Sequence, residues 1–174
     1  MYKPKPKYCK QCGKQFKPYT TTQIVCSVNC SYEYVQEKNV NKRVKEMKDN
    51  LKDKKWYLES LQIVFNKYIV LRDKLEPCIS CGSTQANQWD CGHFYAKGNY
   101  SFLRFNEDNC NKQCNRPCNT DKSGNISEYR KGLIKKIGIE RVQWLDDHRH
   151  DKLDITIPEI KVLIKKYKDK IKTL

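Results

Sequence analysis

Apolar side chains recur every three or four positions between residues 57 and 75, where Tyr57, Leu61, Val64, Phe65, Tyr68, Leu71 and Leu75 fall on one side of a predicted helix. Glu76-Pro77 ends it, because a residue before proline is pushed out of the α region. Upstream, from Glu33, the chain lacks proline and glycine but is highly charged, and reads as a solvated helix or linker. Helical spacing returns after Asn125. Asn125-x-x-Glu128 predicts a capping box ahead of Tyr129, Leu133, Ile134 and Ile137, and Gly138 a C-terminal stop. A short helix with Val142 and Leu145 follows. Thr156-x-x-Glu159, with Pro158 in the first turn, caps a last helix whose stripe is Ile160, Leu163, Ile164, Tyr167 and Ile171. Between these helical regions, Trp89-Asp90-Cys91-Gly92-His93-Phe94 alternates as a strand does, and Leu103-Arg104-Phe105 reads as a second strand.

These patterns bury little, and the cysteines change the picture. Ten cysteines stand in 174 residues. No apolar run approaches the roughly 18–20 residues that span a bilayer, and Tyr2 to Lys10 is basic but lacks the apolar stretch of a signal peptide. A cytoplasmic protein without membrane contact is expected, where closely spaced thiols serve as metal ligands more often than as disulfides. Cys9-x2-Cys12 and Cys26-x3-Cys30 form one four-cysteine zinc set in a segment with too few apolar residues to fold by burial. The first pair fits a knuckle, and the second the start of a helix near Ser27. Cys78, Cys81, Cys114 and Cys118 form a second structural zinc set, clamping two ends of a small fold. Cys91 and Cys110 are left over, as small buried residues or, for Cys110, as a competitor of Cys114.

Charge divides the chain in the same places. The formal net charge is +15. Residues 1–32, a zinc finger, carry +6, and residues 33–75, a charged helix leading into a packed one, carry +4. The zinc-bracketed core at 76–125 is neutral, and the helical segment at 126–174 carries +5. Basic flanks suit a polyanion, since Lys and Arg displace condensed counterions from phosphates. Lys97, Arg104, Lys122 and Arg130 are the candidate DNA contacts of the core and its border. The polar cluster of Asp146, Asp147, His148, His150 and Asp151 reads as a solvated helix end.

His93, the first histidine of the chain, lies inside the neutral segment with Asp90, Asn109 and Asn119. A neutral imidazole near pH 7 can take a proton from water. Asp90 and Asn119 offer hard oxygen ligands, which suit Mg2+ or Mn2+ better than zinc. A structural histidine, or a zinc ligand standing in for a cysteine, is the other reading of His93. The order of these residues resembles the HNH endonuclease motif, a ββα-metal (His-Me) finger. There a histidine ending the first strand activates water, an asparagine orients the site and a terminal His or Asn holds a metal. Many HNH proteins place an Asp immediately before the histidine, where this chain has Gly92.

A longer set of matches extends the resemblance. Phe65-Asn66-x-Tyr68-Ile69-x-x-Arg72-Asp73, Cys78-Ile79-Ser80-Cys81-Gly82, Gly92-His93-Phe94, Leu103-Arg104-Phe105-Asn106, Gln113-Cys114, Cys118-Asn119, Ser123-Gly124-Asn125 and Tyr129-Arg130 look like the phage NinG (Rap) recombination endonuclease family. The resemblance implies an α+β fold: a zinc-bound ββα-metal core with an N-terminal four-cysteine finger and flanking helices. It also implies a structure-specific nuclease, in the bacterial host cytoplasm, that cuts branched DNA such as Holliday junctions and D-loops during phage recombination. Carried onto this chain, His93 is the base, Asn109 orients the site and Asn119 is a metal ligand. Asp90 is the further ligand suggested by its chemistry. Cofactors are two structural Zn2+ ions and a catalytic Mg2+ or Mn2+. Symmetric cutting of a four-way junction would call for two active sites, hence a homodimer, and recombination proteins of the phage are further partners. Two competing functions remain, a non-catalytic junction-binding adaptor and a sequence-specific HNH nuclease.

Overall fold

A computed structural model describes residues 5–174. The first four positions of the zinc finger, and with them the start of the basic Tyr2–Lys10 stretch, lie outside the described residues. The chain divides into two compact units, residues 1–53 and 54–174. Each is mixed or helical in a way its local sequence dictates.

In the first unit, strands β1 (Lys7–Tyr8) and β2 (Gln15–Phe16) pair antiparallel around the first cysteine knuckle. Helix α1 (Val28–Asn50) begins at Ser27, whose hydroxyl accepts the Cys30 N–H at 3.2 Å, a standard N-cap. No residue of α1 is buried, in keeping with its charged sequence.

The second unit is built around a two-stranded antiparallel hairpin, β3 (Trp89–His93) and β4 (Cys110–Cys114), in the register His93↔Cys110 and Trp89↔Cys114. On one side, α2 (Lys54–Arg72) packs with α5 (Ile157–Lys172) through Leu61, Phe65, Ile69 and Ile160. The Phe65 and Tyr167 rings meet edge to face at 5.0 Å. On the other side, α3 (Ile126–Ile137) and α4 (Ile139–His148) enclose Phe94, Leu103, Tyr129, Leu133, Val142 and Leu145. Beneath the strands, Asp73 is buried against the Arg72 guanidinium at 2.8 Å and the Lys136 ammonium at 2.9 Å, and accepts the Lys112 N–H. No helix among the described residues is long and apolar enough to cross a membrane.

The helices follow the predicted stripes, with three corrections. Leu103-Arg104-Phe105 is not a strand but part of a 3-10 turn, Phe102–Phe105, inside the long connection between β3 and β4. Asn125 forms no capping box. Its backbone is left-handed at φ 46°, and its side chain turns away to the Cys118 sulfur at 3.6 Å. Leu75 leaves the stripe because the helix stops at Arg72, and it is 90% exposed. The Thr156–Glu159 capping box of α5 forms as the sequence predicts.

Candidate functional site

The two cysteine sets each close into a group fit for one metal ion. The knuckles repeat one turn. Gly13 donates its N–H to the Cys9 carbonyl at 3.0 Å, and Gly82 to the Cys78 carbonyl at 2.9 Å, both glycines at φ 71°. In the first set, Cys12–Cys26 and Cys26–Cys30 sulfurs lie 3.6 Å apart. In the second, Cys78–Cys114 is 3.6 Å and Cys81–Cys114 is 3.8 Å. Zn–S bonds of about 2.3 Å in a tetrahedron require edges of about 3.8 Å. The donor chemistry and spacing therefore fit zinc at both sites.

Backbone amides prepare the first sulfur of each set. Burial alone would raise the Cys9 thiol, but N–H groups of Cys12, Gln11 and Cys26 outweigh it and bring its pKa down to about 6. At Cys78 burial is likewise overcome by the amides of Cys81, Cys114 and Ser80, giving about 7. Thiolate is the form that binds metal.

Beside the second set, Asp90, His93 and Asn119 line one groove of about 670 Å³ between α2, β3 and the segment leading into α3. Asp90 Oδ2 accepts from the Asn119 side chain at 2.8 Å and from the Asn115 side chain at 2.6 Å, while Oδ1 accepts from Gln88 at 3.0 Å. Asn115 is not singled out by its sequence context. Its signal is the third residue between Cys114 and Cys118, which makes room for a widened turn, Asn115–Asn119, facing Asp90.

His93 is fixed by a backbone group. Its Nε2 lies 3.2 Å from the Arg104 carbonyl, which can only accept, so in the neutral imidazole Nε2 carries the proton and the Nδ1 lone pair is left. Burial, the largest influence on this ring, lowers its pKa and favours the neutral form. Asn109 does not touch the groove. It is fully buried, accepts the Tyr95 N–H at 2.8 Å and donates to the Tyr95 and Leu103 carbonyls at 3.0 Å each. It thereby ties down both ends of the loop that carries the Arg104 carbonyl.

Gly92 is not among the residues that line the groove. A Cβ there would come within 2.4 Å of Gln113 Oε1, so no aspartate fits at that position. A third convergent group was also not foreseen. Cys91, His93 and Cys110 bring their ligand atoms within 4.8 Å of one another.

The candidate DNA contacts sit in different settings. Lys97 lines the groove, and Lys122 is exposed on the turn after Asn119. The Arg104 guanidinium donates to Gln62 Oε1 at 2.7 Å. Arg130 grips Asp146 through two hydrogen bonds, of 3.0 and 2.7 Å, so one member of the Asp146–Asp151 cluster is an ion-pair partner. In the same cluster His148 stacks on Trp144 at 4.1 Å.

Comparison with known proteins adds the lineage. The family model described as the bacteriophage lambda NinG protein matches residues 1–49 and 37–174. The ninG protein of Escherichia phage lambda is 34% identical over 197 residues, covering 100% of this chain and 96% of that protein. The ninG protein of Escherichia phage 933W is 33% identical over 195 residues, with 100% and 96% covered. That of Salmonella phage P22 is 34% identical over 190 residues, with 95% and 92% covered. No solved structure matches. A family model and relatives that run nearly the whole length of the chain, cysteine sets and groove included, place it plainly: the chain belongs to the NinG family.

Proposed function

We propose that this chain is a metal-dependent endonuclease that hydrolyses phosphodiester bonds in branched DNA, on a ββα-metal core held by the second cysteine set. The observation that carries the reading is that Asp90, His93 and Asn119 line one groove. The branched substrate, Holliday junctions and D-loops in phage recombination, is the part supplied by the family resemblance.

Asp90 and Asn119 would hold the catalytic ion. A carboxylate and an amide oxygen are hard donors that fit Mg2+ or Mn2+ and are poor partners for zinc. When bound, that ion neutralises negative charge developing on the phosphate and the leaving oxygen. The rest falls to the chain's own groups. His93 Nδ1 takes a proton from water, and the water oxygen forms a bond to phosphorus as the bond to the leaving sugar oxygen breaks. That oxygen leaves with a proton from solvent. The Arg104 carbonyl holds the imidazole in the tautomer this needs, and Asn109 is a positioning residue acting through the loop. Lys97 at the groove, Lys122 beside it, and the Arg104 and Arg130 guanidinium groups once freed from Gln62 and Asp146 would meet backbone phosphates.

The test is cleavage of linear, flapped, D-loop and four-way DNAs with Mg2+ or Mn2+, with binding measured across a salt series. Preferred nicking of the branched forms, with steeply salt-dependent binding, is expected. Binding to junctions without cleavage under any divalent ion would mark a non-catalytic adaptor. Cutting of linear duplexes according to their sequence would mark a sequence-specific nuclease.

A further inference from the structure

The third convergent group belongs to neither cysteine set. Cys91 and His93 stand two residues apart on β3, on the same face, and Cys110 is the cross-strand partner of His93 on β4. Their ligand atoms all lie within 4.8 Å of one another, while the second four-cysteine set is complete without them. A tetrahedral ion needs its ligands about 3.4–3.8 Å apart, within small side-chain adjustments of this arrangement.

Three further features suit an ion rather than mere packing. Cys91 and His93 line the groove, which provides an entry path and an open side, and Cys110 closes the floor as a fully buried residue. Two thiolates would cancel the charge of a divalent cation, so the half-buried position would hold no net charge. With Nδ1 on the ion, Nε2–H would keep the Arg104 carbonyl at 3.2 Å as the outer partner that a metal-bound histidine ordinarily has. A donor set of two sulfurs and one nitrogen selects zinc over Mg2+ or Mn2+.

We infer that Cys91, His93 and Cys110 form a third zinc site, with three protein ligands and a fourth position open to the groove. A consequence rests on the nuclease reading above. A neutral imidazole has a single nitrogen lone pair in its plane, so His93 can hold zinc or take a proton from water, but not both, and zinc at this site switches the groove off.

The full chain, kept reduced, is stripped of metal and reloaded with Co2+, whose thiolate charge-transfer and d–d absorption reports each site. Parent protein should take up three equivalents that carry thiolate charge-transfer absorption. Cys91→Ala, Cys110→Ala and His93→Ala should each take up two, with helix content by circular dichroism unchanged. Cys91→Ala guards the result should the buried Cys110→Ala fail to fold. Parent uptake of two equivalents, or a third that persists in Cys91→Ala, overturns the site. In a parallel nicking assay with Mn2+, added Zn2+ should inhibit the parent. Inhibition of Cys91→Ala should require far more zinc, since losing a direct ligand costs more than the roughly 10–100-fold lost with an outer partner. Equal inhibition of both overturns the switch. Three equivalents in a parent that never nicks, even before the third is loaded, would sink the nuclease reading and leave the zinc site standing. Nicking with two equivalents would do the reverse.

Discussion

Cys9 and Cys78 begin the same turn in two different settings. Each opens a Cys-x2-Cys-Gly knuckle, and each sulfur accepts the N–H of the third ligand, from Cys26 at 3.3 Å and from Cys114 at 3.4 Å. Around the first, only Cys9 and Pro18 are buried among the described residues 5–53. Around the second, Cys78, Cys114 and Cys118 are all buried, next to a hairpin with helices packed on both faces. One ligand set can therefore be the whole reason a unit folds, or a clamp on a fold that has its own core. The site proposed for chemistry is attached to the second kind, where packing can hold side chains to the tolerance that catalysis needs.

The contrast is broken most severely by removing metal. A strong chelator should unfold the first unit completely, because structural zinc contributes roughly 10–16 kcal/mol in small zinc modules and Pro18 is the one other residue buried among the described residues there. The second unit should loosen at its knuckle while the α2–α5 packing survives. Hydrogen exchange resolved along the chain would check this, and equal collapse of both units would end the distinction.

Next in size is Asp73→Asn, which leaves Arg72 and Lys136 without their buried partner. Breaking such a pair costs about 3–5 kcal/mol, read as a shift of the second unit's denaturation midpoint with the first unit unmoved. Burial raises the Asp73 carboxyl, but Arg72 and Lys136 outweigh it and hold the carboxyl below the usual range. Its contribution is therefore complete above the unfolded value of about 3.9 and is lost as pH falls through the lower folded value. Acidification below about pH 4 should weaken the parent more than Asp73→Asn. The smallest effect is expected of Thr156→Ala, which removes one side of the α5 capping box, a loss of about 1 kcal/mol in the same unit.

Most of the helices, both cysteine sets and the first strand were legible because each obeys a local rule. The second strand was not. Cys110-Asn111-Lys112-Gln113-Cys114 is buried at every position, so no alternation marks it. Its polar residues are tied to distant partners that no local pattern reveals. Asn111 donates to the Tyr129 hydroxyl, Lys112 Nζ to the Lys74 carbonyl and Gln113 to Ser80 and the Gly124 carbonyl. Leu103-Arg104-Phe105 imitated a strand because three residues cannot separate alternation from a tight turn. At the groove, residue types pointed to Asp90, His93 and Asn119. The orientation of His93 depends on a main-chain carbonyl and could not be read from the identity of Arg104. Asn115 and the Cys91–Cys110 neighbourhood came from strand register and a widened turn, which only the assembled backbone sets.

The central claim is that His93 performs chemistry in a fold that does not depend on it. Its most direct test compares parent and His93→Ala on a nicked-product assay with branched DNA and Mn2+, after circular dichroism and thermal melting show that both are folded alike. Nicking by the parent and none by the variant above background is expected. A folded His93→Ala protein that cuts as fast as the parent would contradict it.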